Sequence, residues 1–260
     1  MQQPLCVHLL PSLIEPDALV GGTAVIIDIL RASSTMMTAL RNGAAKVVPC
    51  GTPDEAFQIR QSSEPGTVLL GGERGGVRIE GFDLGNSPAE YGSSVVSGRT
   101  VAFTTTNGTR ALLKASAAAE ILIGSFLNRQ ALAERLHKEA RPTHLICAGT
   151  DGAITAEDVL FAGAIVDLLQ RSATNGNSSV SWILNDSANI AVAFWRHSVI
   201  EALAGSGSAE LAAGIVKVLN ETRGGLNLRG LGYDSDIALC SQVDVMTLIP
   251  RYVREQHCLV

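Results

Sequence analysis

The sequence predicts an α/β protein of three layers, a mixed and mostly parallel sheet flanked by helices, with a helix-rich C-terminal part. Two patterns carry this. Near-continuous runs of Val, Ile and Leu alternate with helical stretches through the first 150 or so residues, as expected of parallel strands covered on both faces. Beyond them, apolar residues recur at helical spacing and few strand-like runs remain. The strands expected in chain order are Ala24–Leu30, Lys46–Cys50, Thr67–Leu70, Thr100–Thr104, Glu120–Ile123 and His144–Ala148. Between them lie helical segments Ser34–Arg41, Pro53–Gln61, Thr109–Ser116 and Asn128–Glu139. Thr155–Gln170 follows as one helix with Val159, Leu160, Ala164, Ile165 and Leu168 on its apolar positions, then Ser187–Leu203, Ala209–Glu221 and a short Asp236–Ser241. Met246–Ile249 reads as a last strand before Pro250. One unit over residues 1–260 is expected. The Ser/Asn/Gly stretch Ser172–Ser179 would divide it if it has two lobes, and Gly205–Ser208 is a second candidate boundary.

Composition excludes several classes. The chain has 46% hydrophobic and 17% charged residues, an ordinary globular balance, and a net charge of -5 without a Lys/Arg cluster. Nucleic acid is therefore not expected as a partner. Aromatics at 4% supply no base-stacking platform. No apolar run reaches the ~20 residues of a membrane helix, and the start MQQPLCVHLLPSL lacks the basic and apolar regions of a signal peptide. Five scattered cysteines, with no CxxC pair, suit a reducing cytoplasm rather than a disulfide framework or a zinc site.

The stretch Leu69–Tyr91 is the most informative. It spends over twenty residues on Gly, Arg, Asp, Glu, Asn and Ser, with Gly71, Gly72, Gly75 and Gly76 around Glu73 and Arg74. Glycine is used where backbone takes φ > 0 or approaches a ligand, and a long polar loop in a compact unit is usually functional. Phe82, Leu84 and Tyr91 are apolar anchors, so an ordered loop is expected.

In open parallel sheets ligands bind beyond the carboxyl ends of the strands. Those ends here deliver Asp28 with Arg31-Ala32-Ser33-Ser34, Glu73 with Arg74, Thr105-Thr106-Asn107-Gly108-Thr109-Arg110, and Gly149-Thr150-Asp151-Gly152 before Glu157 and Asp158. Ser/Thr-rich helix starts present free N–H groups to anions. Arginines recognise phosphate or sulfonate with two hydrogen bonds. Carboxylates suit Mg²⁺, which is held by one or two of them plus phosphate oxygens. A carboxylate in AVIIDIL is expensive to bury without a partner, which singles out Asp28. Asp234 and Asp236 either join this site or cap the short helix after them. Ser34, Thr106 and Asn107 also fit as helix N-caps, and Glu157 and Asp158 as first-turn acids. There is no P-loop, no GxGxxG and no Cys followed five residues on by Arg. Gly85–Ala89 falls one residue short of GxSxG.

Taken together, DILRASS at Asp28–Ser34, GERGG at Gly72–Gly76, GFDLGNSP at Gly81–Pro88, TTTNGT at Thr104–Thr109, Gly149 with Glu157-Asp158, and Asp236-Ile237 with Cys240 resemble the 2-phosphosulfolactate phosphatase (ComB) family over most of the chain. The resemblance implies a Mg²⁺-dependent acid phosphatase. Its reaction takes 2-phospho-3-sulfolactate to 3-sulfolactate and phosphate on the way to coenzyme M. On that footing Asp28, Arg31 and Arg74 are expected to be catalytic. Ser34, Asn86, Ser87, Thr105, Thr106, Asn107, Gly108 and Thr109 would bind substrate or phosphate. Asp28, Glu73, Glu157 and Asp158 would hold Mg²⁺, with one of the adjacent pair Glu157 and Asp158 direct and the other acting at one remove. The partner expected is a small anionic phosphorylated substrate, with no nucleic acid and no membrane; a homodimer is left open. The rivals are phosphatase action on another small phosphorylated acid, a non-catalytic anion-binding protein, and a serine hydrolase using Ser87.

Overall fold

The structure is a computed structural model that describes residues 1–174, 180–201 and 208–260. Its first half runs β1 (Gln2–His8), β2 (Thr23–Ile27), α1 (Ala32–Arg41), β3 (Lys46–Pro49), α2 (Pro53–Gln61), β4 (Val68–Arg74), β5 (Val77–Arg78), α3 (Ser93–Val96), β6 (Thr100–Thr104), α4 (Gly108–Lys114) and β7 (Glu120–Gly124). It continues with α5 (Arg129–Glu139), β8 (Thr143–Cys147), α6 (Ala156–Thr174), β9 (Ser181–Leu184), α7 (Asp186–Trp195), α8 (Ser208–Leu219), α9 (Arg223–Gly230), α10 (Asp234–Cys240), β10 (Tyr252–Val253) and β11 (Cys258–Leu259).

The α/β class holds, but the strands are shared between two sheets. One is five-stranded in the order β7-β2-β8-β1-β9, and every neighbouring pair in it is parallel. The other has the order β10-β11-β3-β6-β4-β5. Its centre, β3-β6-β4, is parallel, and its short outer strands pair antiparallel. In the interior strand β2, between β7 and β8, all five residues are buried. Val25 and Ile27 face one core with Leu5, Val7, Leu145 and the apolar faces of α5, α6 and α7. Ala24 and Ile26 face a second core that also takes in Met36 and Met37 of α1, Leu112 of α4, and Val47, Val101 and Phe103 of the other sheet. A smaller core under α2 closes the far face of that sheet.

Local chemistry sets the ends. Thr52 caps α2 by accepting from Glu55 N–H at 3.2 Å, with Pro53 in the first turn. Asn185 caps α7 through Ala188 N–H at 2.9 Å. Leu69–Tyr91 is ordered: Phe82, Leu84 and Tyr91 are buried, and the Tyr91 hydroxyl donates to Gly85 O at 2.6 Å.

Several expectations are corrected. Glu73 and Arg74 end β4 and open a hairpin with β5 instead of lying in a loop. The N-terminus is itself a strand between β8 and β9. Ser181–Leu184 forms the sheet edge, and α9 is a further helix. Met246–Ile249 joins no ladder: the Met246 N–H donates to Leu127 O at 2.9 Å, and the Asn128 amide donates to Leu248 O at 3.0 Å. The last strands are β10 and β11. Helix α7 passes at Arg196 into a wider π turn. The candidate boundaries Ser172–Ser179 and Gly205–Ser208, and the end of Ser187–Leu203, fall largely outside the described residues. Among the described residues no helix is long and apolar enough to cross a membrane.

Candidate functional site at the strand ends

Asp28 is the first residue beyond β2, set at the start of α1. Its N–H donates to Ser33 Oγ at 2.9 Å, its carbonyl accepts from Ser33 N–H at 2.9 Å, and its Oδ1 accepts from Ala32 N–H at 3.2 Å. Helix α4 begins against the same carboxylate. A Cβ built on Gly108 would stand 2.9 Å from Asp28 Oδ2 and 3.1 Å from the Ala32 Cβ. Gly108 is thus needed for room beside Asp28.

Glu73 reaches the same place from β4. Its Oε1 accepts from Thr106 N–H at 2.9 Å and its Oε2 from Gly76 N–H at 2.7 Å. It therefore ties the hairpin to the Thr104–Thr109 loop. Successive strand residues point to opposite faces, so Arg74 turns away: it donates to Glu73 O at 2.7 Å and to Thr104 Oγ1 at 3.0 Å, and it does not line the cleft.

Glu157 and Asp158 open α6 and divide as neighbours on a helix must, pointing about 100° apart. Asp158 is consumed by backbone and hydroxyl donors. Oδ1 accepts from Ile29 N–H at 2.9 Å, and Oδ2 from Gly149 N–H at 3.0 Å and Thr155 Oγ1 at 3.2 Å. Glu157 is equally buried, yet its Oε2 has no hydrogen-bond partner.

Arg31 is buried and already engaged. It pairs with Asp236 at 2.5 Å, donates to Gly76 O at 2.9 Å, and stacks 4.4 Å from the Tyr233 ring centre. Asp236 also accepts from the Ser87 hydroxyl at 2.6 Å. Ser87 thus faces a carboxylate bound to arginine, not a free base. Asp236 joins the site, whereas Asp234 is exposed and pairs with Arg229. Ser34 is buried below the cleft, its hydroxyl on Ile29 O. Thr109 is buried in the first turn of α4.

These strand ends enclose a cleft of about 360 Å³. Asp28, Glu73 and Arg31 form one side of it, with Asn86, Thr106 and Asn107 beside them. Thr150 and Asp151 from the β8–α6 loop, and Arg223, Gly224 and Asn227 from α9, complete it. The side-chain oxygens of Asn86, Thr105 and Thr106 are buried without partners.

The family model described as 2-phosphosulpholactate phosphatase matches residues 8–255. The chain belongs to the 2-phosphosulfolactate phosphatase family. Relatives named "probable 2-phosphosulfolactate phosphatase" include proteins from three bacteria. The one from Caldanaerobacter subterraneus subsp. tengcongensis is 38% identical over 87% of this chain and 86% of its own. That from Symbiobacterium thermophilum is 36% identical over 94% and 97%. That from Thermotoga maritima is 38% identical over 89% of each.

Electrostatics in this family member concentrate on the carboxylates. Burial raises the Asp28 pKa to about 7; the charges of Glu73 and Glu157 push the same way, against the Ala32 N–H and Arg31. Burial also raises Glu157, opposed by backbone N–H groups including that of Gly224. Asp158 is raised well above the usual range by burial, then by Asp28 and Glu157. Buried negative charge is thus under-compensated. The oxygens of Asp28 and Glu73, which line the cleft, and the free Oε2 of Glu157, which does not, are hard donors of the type magnesium takes. Among the described residues no group of three or more His, Cys, Asp or Glu is placed to hold a metal ion, so one or two of these carboxylates would hold it, and water and phosphoryl oxygens would supply the rest of the shell.

Sequence reading assigned no role to Arg223, Gly224 or Asn227, and placed Thr150 and Asp151 at a strand end of the site without a role of their own. The available signal was Thr222-Arg223-Gly224-Gly225. Two glycines in a helix start are costly and need a reason. Here a Cβ on Gly224 would fall 2.1 Å from Glu157 Oε1, and one on Gly225 1.8 Å from Leu219 O.

Proposed function

We propose that the protein is a Mg²⁺-dependent phosphatase that hydrolyses 2-phospho-3-sulfolactate to 3-sulfolactate and phosphate in the cytoplasm. The observation that carries this is the meeting of Asp28 and Glu73 at one rim of parallel strands, with Glu157 of α6 near enough to act on Asp28 and with unpartnered polar oxygens on Asn86, Thr105 and Thr106. Family membership supplies the substrate. Water oxygen attacks phosphorus, the ester P–O bond breaks, and the leaving alkoxide takes up a proton. Magnesium, when bound, would polarise the phosphoryl oxygens.

The chain's own residues do the rest. Asp28 lines the cleft, its Oδ2 is not the oxygen engaged by the Ala32 N–H, and it takes the water proton. The Asn86, Thr105 and Thr106 side chains and Asn107 receive the phosphoryl group. Arg31 acts through Gly76 O and Asp236, holding the hairpin that carries Glu73 against the cleft. Arg74 braces the end of β4 on Thr104.

Phosphate release from 2-phosphosulfolactate, measured with Mg²⁺ and again with excess EDTA, tests the reading. Turnover that stops with the chelator and returns with Mg²⁺ is expected. Full activity in EDTA removes the metal, and no release under any condition removes the phosphatase.

A further inference from the structure

Building on the phosphatase reading, a second acid group on the substrate needs a cation of its own, and only two line the cleft among the described residues: Arg31 and Arg223. Arg31 is buried with its guanidinium shared among Asp236, Gly76 O and Tyr233. Turning it toward a ligand would strand Asp236.

Arg223 is the opposite case. It is held firmly at its root: Thr222 caps α9 through Gly225 N–H at 3.2 Å, and Gly224 is packed against Glu157 Oε1 too closely to accept a Cβ. Its position relative to the carboxylates is therefore fixed. Its tip is loose. The guanidinium donates to Thr150 O and to Asp151 Oδ2, each at 3.1 Å, and the two side chains are 52% and 62% exposed. Exposed pairs of this kind hold weakly. Asn227, one turn along α9, adds an amide on the same side of the cleft.

We infer that Arg223 is the specificity residue of the cleft. It exchanges Asp151 for the carboxylate or sulfonate that the substrate carries away from its phosphate. Asp151 is its resting counter-ion, kept in place by its own N–H on Asn107 Oδ1 at 3.2 Å. The ligand class is a phosphate monoester bearing a second, non-reacting acid group, and the fork of Arg suits it better than Lys.

The test compares 2-phosphosulfolactate with glycerol 2-phosphate, which lacks the acid groups, in wild type, Arg223→Gln and Arg223→Lys. The ratio of kcat/KM between the two substrates should fall about 10- to 100-fold in Arg223→Gln and recover in part in Arg223→Lys. Calorimetry with 3-sulfolactate should show a matching loss of affinity, with inorganic phosphate affected less. An unchanged ratio, or an equal loss on both substrates, overturns the inference. Failure of the wild type to hydrolyse 2-phosphosulfolactate overturns the phosphatase reading instead, and the calorimetry then decides Arg223 by itself.

Discussion

Asp236→Asn should destabilise the protein strongly, and the size can be worked from its contacts. Asp236 and Arg31 are 1% and 2% exposed and lie 2.5 Å apart. The substitution keeps the shape of the side chain and an oxygen for the Ser87 hydroxyl. It removes the carboxylate that is paired with the buried Arg31 guanidinium. Breaking a buried pair from one side costs about 3–5 kcal/mol. Arg31 retains Gly76 O and the Tyr233 ring, so the lower end, about 3 kcal/mol, is expected. For a chain of this size that is a fall in Tm of roughly 6–12 °C. Removing both charges in Arg31→Met/Asp236→Leu leaves no stranded ion and should recover most of the loss. Urea unfolding of the wild type, the single and the double variant measures this. A single variant within 1 kcal/mol of wild type, roughly the worth of an exposed pair, would refute the claim that the pair organises the site. So would a double variant that is worse than the single.

Three other outcomes follow from the same geometry. Asp28→Asn should lower kcat about 100-fold or more while the far-ultraviolet circular dichroism stays unchanged; a near-wild-type rate would take Asp28 out of the chemistry. Gly108→Ala should act on kcat, because its Cβ meets Asp28 Oδ2 and shifts a reacting carboxylate; a change confined to KM would return Gly108 to the role of an anion-binding backbone. His8 and His144 stack with ring nitrogens 3.1 Å apart. Burial, and then the charge of His144, lower His8 from 6.5 to about 4. At His8 the unfolded chain therefore binds the proton first, and this residue's contribution to stability is lost as pH falls from about 6.5 to about 4, on the order of 2 kcal/mol after discounting for its partial exposure, whereas the raised carboxylates Asp28, Glu157 and Asp158 act in the opposite sense. His8→Gln should therefore shift the pH dependence toward greater relative stability at low pH, and a dependence identical to wild type would exclude the His8 contribution.

The strand ends were legible because period and chemistry agree there. An apolar run such as AVIIDIL reports its own burial, and a carboxylate inside it cannot be neutral decoration. Other features lay beyond local pattern. Strand β1 shows only Leu5 and Val7 as fully buried positions and contains Pro4, so it reads as a tail until β8 and β9 flank it. The division into two sheets could not be read, since buried strands look alike whichever sheet they join. Helix α9 was hidden by its glycines, whose reason is the packing against Glu157 and Leu219. Arg31 and Arg74, both arginines near strand ends, were both expected to meet the substrate, Arg31 at the phosphoryl group and Arg74 at its other anions. The alternation of β4 and the buried partner Asp236 separate them, and the second lies over two hundred residues from Arg31 in the chain.

Glu157 and Asp158 show how adjacent acids come to hold different jobs. Asp158 joins the chain just past β2, at Ile29, to the chain just past β8, at Gly149. These are neighbouring strands, with Ile27 opposite Cys147. The loops that carry Asp28 and Asp151 therefore leave the sheet from a fixed separation. With its oxygens so engaged, Asp158 serves position. Glu157, one residue earlier, keeps an oxygen free and serves charge. Asp158→Asn retains one acceptor and cannot accept both N–H groups, so it should loosen both loops and weaken Mg²⁺ and substrate binding together. Glu157→Gln leaves the loops in place and should weaken Mg²⁺ binding with little loss of stability. Magnesium titration followed by calorimetry, set beside the unfolding free energy of each variant, separates the two roles. Equal effects of both substitutions on both quantities would mean that the pair acts as one.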